Sequence, residues 1–240
     1  LKEERKIEDI NIYITLEPCA HETTSPSCAK EIVNFGANRV IYLATDPDNR
    51  TNGKGKSIME KAGIEFSTVD PAIDEKEVKL SYISNNYPAR DIADVLADMK
   101  ARKISNRFPD SIVIGCDQIL DFNSKILSKA KDQDELIHQL KQLQGNKHKL
   151  HSACVVYNAQ KPEWRFIGSV GMTMRNLSDR YISKYVQDNW DDIKHSVGGY
   201  QLESSGISLF SKIDGDYFSV LGLPIIQLID HLLNRGVIEQ

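Results

Sequence analysis

The sequence lacks the features that mark secreted and membrane proteins. Four cysteines in 240 residues are too few for a disulfide scaffold, so we expect them to be thiols or metal ligands. No apolar run approaches the ~18 residues of a membrane span, and no basic start followed by an apolar core indicates a signal peptide. We therefore expect a cytoplasmic protein with no membrane partner.

An excess of positive charge is also absent. The formal net charge is −4 and no basic stripe is visible, which argues against a general nucleic-acid binder. A phosphate-binding pocket remains compatible with this charge. The chain starts at Leu1 instead of methionine, from which we expect that an upstream part is missing.

A segment rich in turn formers and lysine, Asp46 to Lys56, divides the chain into two regions of different pattern. Before it, residues 10–15 and 39–44 predict strands, and residues 29–35 predict a short helix. After it, strand and helix patterns mix, and apolar residues at helical spacing predict a long helix over Ala89 to Arg107. We predict two domains, residues 1–55 and 56–240.

The stretch from Ser111 to Lys129 carries the strongest functional signal. Residues 112–114 are a β-branched run typical of a buried strand, and Asp117 and Gln118 follow directly. Because ligands bind beyond the carboxyl ends of strands in open α/β sheets, we expect Asp117 to be a catalytic carboxylate or a metal ligand. The alternative that Asp117 only caps a turn into residues 121–124 stays open.

The residues after position 56 also include the charge types that phosphoanhydride hydrolysis needs. This reaction uses a divalent ion to bridge phosphate oxygens, cations to hold the remaining oxygens, and a carboxylate to orient water. Candidates for these tasks are Glu75, Lys100, Asp117 and Lys129. Each of them alone is equally typical of a solvated surface charge, so the lysines count only if they share a pocket.

These segments resemble the Maf family of nucleoside triphosphate pyrophosphatases over roughly residues 57–240. The resemblance rests on AIDE at 72–75, ARDIADVLADMKARKIS at 89–105, VIGCDQ at 113–118, Ser128-Lys129, LQGNKHKLHSA at 143–153, and the glycine-rich run from GGYQLESSG through GDYFSVLGLP. It implies an α/β fold with a mixed sheet and flanking helices. It also implies cleavage of the bond between the α and β phosphates of a nucleotide, with Mg²⁺ or Mn²⁺, to give the monophosphate and pyrophosphate.

The resemblance implies roles for the four charged candidates. Asp117 would be the general base or a metal-associated carboxylate, and Glu75 would be a metal ligand. Lys100 and Lys129 would hold phosphates. The partner would be a nucleoside triphosphate, and a homodimer is left open.

Gln118 and Glu203 would contact the base. Both residue types resemble the subgroup that acts on 7-methyl-GTP, whereas the pyrimidine-directed subgroup carries threonine and glutamine at these places. A carboxylate can accept hydrogen bonds from both N1–H and the exocyclic amine of guanine. We therefore expect a preference for guanine-type nucleotides.

The first region carries a pair of cysteines, Cys19 and Cys28, around a predicted helix start. Zinc deaminases use such a pair with a third ligand and a glutamate from an upstream H-x-E motif. Roughly residues 10–55 resemble the pyrimidine deaminase of riboflavin biosynthesis, mainly through TLEPCAHETTSPSCAKEIVNFGANRVIYLATDPD at 15–48, but no H-x-E lies upstream. We expect a truncated deaminase-like αβ unit without deaminase activity. Residual Zn²⁺ at Cys19 and Cys28, with His21 as a third contact, and two reduced structural thiols both stay open.

The junction removes a segment that Maf-like proteins use. These proteins carry an S-x-S-x-x-R loop that cradles the triphosphate, and residues 41–57 (IYLATDPDNRTNGKGKS) take its place here. Lys56 offers positive charge for the substrate, but Arg50 stands where a P-loop needs its first glycine. We predict an impaired pyrophosphatase unless this loop substitutes. The alternatives are a fragment of a zinc-dependent riboflavin-pathway deaminase and a catalytically incomplete fusion that only binds nucleotide or zinc.

Overall fold

The structure is a computed structural model that describes residues 11–14, 20, 27–35, 39–42, 53–68 and 73–237. The chain forms two compact units. The first comprises Leu1–Ala72, Arg102–Ile114 and Tyr157–Lys161, and the second comprises Ile73–Ala101, Gly115–Val156 and Pro162–Gln240. The domain division between residues 55 and 56 stays a prediction.

Three short strands and two helices form the N-terminal part of the first unit. In chain order they are β1 (Asn11–Ile14), α1 (Cys28–Phe35), β2 (Arg39–Tyr42), α2 (Lys54–Lys61) and β3 (Glu65–Thr68). The strands pair in parallel in the order β1-β2-β3, with α1 and α2 as the crossovers that parallel strands need. The predicted strands and first helix are confirmed, but their identity as a deaminase unit stays a prediction.

Two helices follow β3 along the chain, α3 (Glu75–Ser84) and α4 (Ala89–Arg107). The carboxylate of Asp74 caps α3 by accepting a hydrogen bond from the backbone N–H of Glu77 at 2.9 Å. The sequence pattern missed α3 because this helix buries none of its side chains and so lacks an apolar stripe. The bounds of α4 match the predicted ones.

The strand β4 (Val113–Phe122) is longer than the apolar run suggests and turns back into β5 (Lys125–Leu127). Asp117 therefore lies inside an antiparallel strand. Both the expectation that Asp117 lies at a strand's carboxyl end and the alternative that it caps a turn are wrong. The strand continues because residues 120–122 pair with β5, and the turn falls at Asn123 and Ser124.

Helix α5 (Gln133–Leu143) leads into the long hairpin of β6 (Lys147–Asn158) and β7 (Lys161–Met174). Asp132 caps α5 by accepting a hydrogen bond from the backbone N–H of Glu135 at 2.8 Å. Ala159 and Gln160 have φ values of 46° and 63°, as in the two-residue turns whose twist matches that of the strands.

The chain ends with α6 (Asp179–Ile193), β8 (Phe210–Asp214), α7 (Tyr217–Val220) and α8 (Ile225–Asn234). The larger sheet has the order β5-β4-β6-β7-β8. Its main apolar cluster combines Leu120 and Leu150 of the sheet with Leu136 and Leu140 of α5 and Ile182 of α6. The predicted α/β architecture with flanking helices is confirmed. The predicted mixed sheet is not shown, because the described pairs of the larger sheet, β4 with β5 and β7 with β8, are antiparallel. Among the helices of the described ranges, none is long and apolar enough to cross a bilayer.

Candidate active site

A lysine shared by two carboxylates lies at the centre of the candidate site. The Nζ atom of Lys100 lies 2.7 Å from Oε1 of Glu75 and 2.7 Å from Oδ1 of Asp117. The Lys100 and Asp117 side chains are 12% and 7% exposed, whereas that of Glu75 is 42% exposed. The sequence named these three residues separately, and the structure brings them into direct contact.

Local structure explains how the three side chains meet. Asp74 starts α3, so Glu75 occupies its first turn, while Lys100 projects from α4 and Asp117 from β4. Helix and strand can approach closely because residue 115 is a glycine. A Cβ atom there would lie 2.3 Å from the backbone oxygen of Ala97.

Burial is the largest influence on all three pKa values, but the outcomes differ. Burial raises the pKa of Asp117, and the nearby Lys100 charge opposes this rise without cancelling it. Burial alone would raise the pKa of Glu75 and lower that of Lys100. Attraction to their oppositely charged partners outweighs it, so the pKa of Glu75 lies below and that of Lys100 above its usual value. Asp117 is therefore the more basic of the two carboxylates.

Two further lysines add positive charge around Glu75. Lys79, one helical turn along α3, has its Nζ 3.7 Å from Oε2 of Glu75. The charge of Lys129, which follows β5, also contributes to lowering the pKa of Glu75. The four charged residues that the sequence suggested therefore form one cluster, and Lys79 is an addition to it. Sequence reasoning missed Lys79 because α3 was not predicted, although its spacing from Glu75 is the i,i+4 spacing of helical ion pairs.

The side chains of Asp117 and Gln118 point to opposite faces of β4. Asp117 contacts α4, while Gln118 contacts Ser152 of β6 and the backbone of α7. Because β5 pairs only with residues 120–122, no described strand covers residues 115–119 on that side of β4. Residues 115–119 therefore form an open edge of β4 beside both side chains.

The amide nitrogen of Gln118 is already bound within the protein. Its two hydrogens are shared among three acceptors: Oγ of Ser152 at 2.8 Å, the carbonyl oxygen of Val220 at 3.0 Å and that of Ser219 at 3.1 Å. None of the residues that the structure describes donates to its Oε1. The group that Gln118 can offer to a base is thus a hydrogen-bond acceptor.

Glu203 lies in the turn before β8 and is exposed. Its charge contributes, after burial, to raising the pKa of Tyr217 on α7, so the two side chains are neighbours. Tyr217 and Phe218 are 44% and 41% exposed and meet edge to face. Helix α7 therefore links Gln118, through its carbonyl groups, with Glu203, through Tyr217.

The other residues predicted for a site lie in the first unit or outside the described residues. Lys56 lies on α2 in the first unit and is partly buried. Cys19 and His21 lie outside the described residues, and Cys28 begins α1 with a side chain that is likewise not described.

The donor set of the second unit fits a divalent cation that shares its coordination with a substrate. Mg²⁺ in nucleotide-processing sites uses one or two carboxylates together with phosphate oxygens and water. Glu75 and Asp117 supply two carboxylates, and Oδ2 of Asp117 is buried without a hydrogen-bond partner among the described residues. Three or more histidine, cysteine, aspartate or glutamate side chains do not come together anywhere in the described part of the chain. The protein would therefore provide part of the coordination shell.

Most of this chain matches one known protein family. The profile of the family described as Maf-like protein matches residues 42–235. This range contains every residue of the carboxylate and lysine cluster, and also Gln118 and Glu203.

Two relatives illustrate the similarity. The chain is 49% identical over 182 residues to a nucleoside triphosphate pyrophosphatase from Ruegeria pomeroyi, which covers 76% of this chain and 92% of that protein. It is 39% identical over 183 residues to a 7-methyl-GTP pyrophosphatase from Brucella abortus, with the same coverage of 76% and 92%.

A solved structure also shows similarity to part of the chain. It is a diaminohydroxyphosphoribosylaminopyrimidine deaminase/5-amino-6-(5-phosphoribosylamino)uracil reductase from Thermotoga maritima, 28% identical, with a TM-score of 0.22. The match covers 31% of this chain and 22% of that one. A TM-score this low carries no argument about the fold or activity of the N-terminal residues.

Proposed function

The chain belongs to the Maf-like protein family, and we propose that it is a nucleoside triphosphate pyrophosphatase that cleaves the bond between the α and β phosphates. The observation that supports this most is the bridge from Lys100 to Glu75 and Asp117. It places two carboxylates and a buried cation at the open edge of β4, with Lys129 nearby. Cations and carboxylates in one place are what phosphoanhydride hydrolysis needs.

The geometry suggests a division of work among these side chains. Asp117, with its raised pKa and free Oδ2, would accept a proton from the attacking water. Lys100 and Lys129 would hold phosphate oxygens and stabilise the charge that develops on them. Glu75 would hold Mg²⁺ or Mn²⁺, which supplies charge neutralisation at the phosphates when bound. In the alternative, Asp117 would be a second ligand of this metal instead of the base.

For the base, we propose a guanine-type nucleotide such as 7-methyl-GTP. Gln118 offers only its Oε1 acceptor, and Glu203 adds a carboxylate. Guanine presents two donors, N1–H and the exocyclic amine, on one edge, whereas thymine and uracil present a single donor flanked by two acceptors. The name of the Brucella relative agrees with this preference.

Pyrophosphate release from GTP, 7-methyl-GTP, dTTP and UTP with Mg²⁺ or Mn²⁺ tests the proposal. We expect release, with 7-methyl-GTP or GTP preferred, and a loss of at least about 100-fold in kcat/KM for Asp117→Asn and Lys100→Met. Lys103→Met, at an exposed lysine on the same helix, is the matched control and should change little. Absence of release with every nucleotide would contradict the proposed activity, and equal turnover of dTTP and 7-methyl-GTP would contradict the base preference.

Impaired activity, zinc binding and a homodimer remain predictions. Impaired activity depends on the loop that replaces the S-x-S-x-x-R segment, and most of this loop, residues 43–52, lies outside the described residues. Nucleotide binding without release would favour a catalytically incomplete chain. Metal analysis of the wild type beside Cys19→Ser and Cys28→Ser variants tests for zinc, and light scattering tests for a homodimer.

A further inference from the structure

We propose that Ser152 is a positioning residue that, together with the carbonyl groups of α7, locks the amide of Gln118 so that only its oxygen faces the substrate. This inference rests on the proposed function, because it concerns how the same site recognises its base.

The acceptors around Gln118 determine the orientation of its amide. Two of the three atoms near Nε2 are the backbone carbonyl oxygens of Ser219 and Val220, which can only accept hydrogen bonds. An amide turned by 180° would place its own oxygen against both carbonyl oxygens. The nitrogen therefore faces α7, and the oxygen faces away from it.

Ser152 completes this arrangement from the neighbouring strand. Its hydroxyl donates to the carbonyl oxygen of Ser219 at 2.6 Å, so its lone pairs are left to accept from Nε2 of Gln118 at 2.8 Å. The residue is fully buried, and the contact to Gln118 is the shortest of the three that the amide makes. Ser152 thus holds both the amide of Gln118 and the carbonyl oxygen of Ser219, which that amide also contacts.

Helix α7 is itself firmly placed. The carboxylate of Asp216 accepts hydrogen bonds from the backbone N–H groups of Phe218 and Ser219 and from the Ser219 hydroxyl, the last two at 2.8 Å. Ser219 also packs directly on β7, since a Cβ atom at Gly168 would lie 2.3 Å from its Oγ. The carbonyl groups that hold Gln118 therefore have little freedom to move.

A locked amide discriminates between bases by the groups that they present. A freely rotating glutamine can offer either its oxygen to a donor or its nitrogen to an acceptor. With the nitrogen engaged, Gln118 can accept from an N–H group of guanine but cannot donate to a uracil carbonyl. Uracil offers only N3–H to Gln118 and has no second donor for Glu203, whereas guanine has two donors on one edge. The substrate class is thus a base with donors on this edge, and a ligand that presents an acceptor there leaves two acceptors facing each other.

The test compares kcat/KM for GTP and UTP in the wild type and in Ser152→Ala. In Ser152→Ala the two carbonyl groups still set which way the amide faces, but Gln118 loses its shortest contact and its oxygen is no longer held in one position. We therefore expect the GTP/UTP ratio to fall about tenfold, mainly through KM for GTP. Ser152→Thr keeps the hydroxyl and should restore the ratio. Ser105→Ala is the matched control, because Ser105 is equally buried but its Oγ has no partner among the described residues. A ratio in Ser152→Ala within about twofold of the wild type would overturn the inference.

Failure of the proposed function would be visible separately. If the wild type releases no pyrophosphate, calorimetry can measure the affinities of the wild type and of Ser152→Ala for non-hydrolysable GTP and UTP analogues. The ratio of these affinities then replaces the ratio of kcat/KM values. Loss of selectivity in Ser152→Ala would then support the inference although the activity is absent. Absence of nucleotide binding by the wild type would overturn both.

A measurement on the wild type covers the case in which Ser152→Ala does not fold. The side-chain NH₂ signals of Gln118 in ¹⁵N spectra can be assigned by their disappearance in Gln118→Leu. We expect hydrogen exchange at least about tenfold slower than for the NH₂ group of Gln160, which is exposed in the hairpin turn. Equal exchange rates for the two groups would show that the amide of Gln118 is not locked.

Discussion

Replacing Lys100 by methionine is expected to lower the free energy of unfolding by about 3 kcal/mol at about pH 7.5 in the absence of divalent metal. The change keeps a long unbranched side chain but removes the cation that Glu75 and Asp117 share. The cost falls mainly on Asp117, whose carboxylate stays buried and loses the cation that contacts it, while the charge of Lys79 still acts on it. The contact with Glu75 should add no more than about 0.5 kcal/mol, because that side chain is largely solvated.

The pH dependence of this cost separates lost charge compensation from lost packing. In the variant, Asp117 can avoid being a buried charge by taking up a proton. This protonation costs about 1.4 kcal/mol for each pH unit above a reference pKa of about 3.9, and it therefore limits the loss of stability. This limit is about 5 kcal/mol at about pH 7.5 but only about 1.5 kcal/mol at about pH 5. The variant should therefore lie closer to the wild type in stability at the lower pH.

Urea unfolding followed by tryptophan fluorescence is a suitable assay. Both tryptophans, Trp164 and Trp190, belong to the unit that contains the site. Samples should contain a chelator, and Lys103→Met serves as the surface control. A loss of stability of the same size at both pH values would refute the reasoning, because it would show that the uncompensated charge of Asp117 is not the cause.

Three other predictions concern the fold around the site. Burial lowers the pKa of His148 from 6.5 to about 4, so only the unfolded chain takes up this proton between these values, and stability should fall by about 3 kcal/mol as the pH drops through that window. Denaturation curves should lose this component in His148→Gln. Gly115→Val should destabilise the protein by more than about 3 kcal/mol and abolish activity in a calorimetric and kinetic comparison, because its side chain would collide with the backbone at Ala97. Ser178→Ala should cost about 1 kcal/mol in thermal unfolding with unchanged kcat/KM, because Ser178 only caps α6.

Much of the local structure could be predicted because the signals lie within a few residues of each other. The apolar spacing of α4 is an example, and the structure shows this helix where the pattern put it. Helix α3 escaped prediction because it has no buried face. The full length of β4 could not be predicted either, because residues 120–122 continue as a strand only through pairing with β5.

The sequence by itself determined the family resemblance, the identity of the candidate charges and the residue types at Gln118 and Glu203. Only the tertiary structure decided that Lys100 lies between Glu75 and Asp117, and that Gln118 offers an oxygen instead of a nitrogen. The partners of Gln118 lie 34, 101 and 102 residues away along the chain. Sequence patterns report periodicity and short spacing, whereas the orientation of an amide depends on which distant donors and acceptors the fold packs against it.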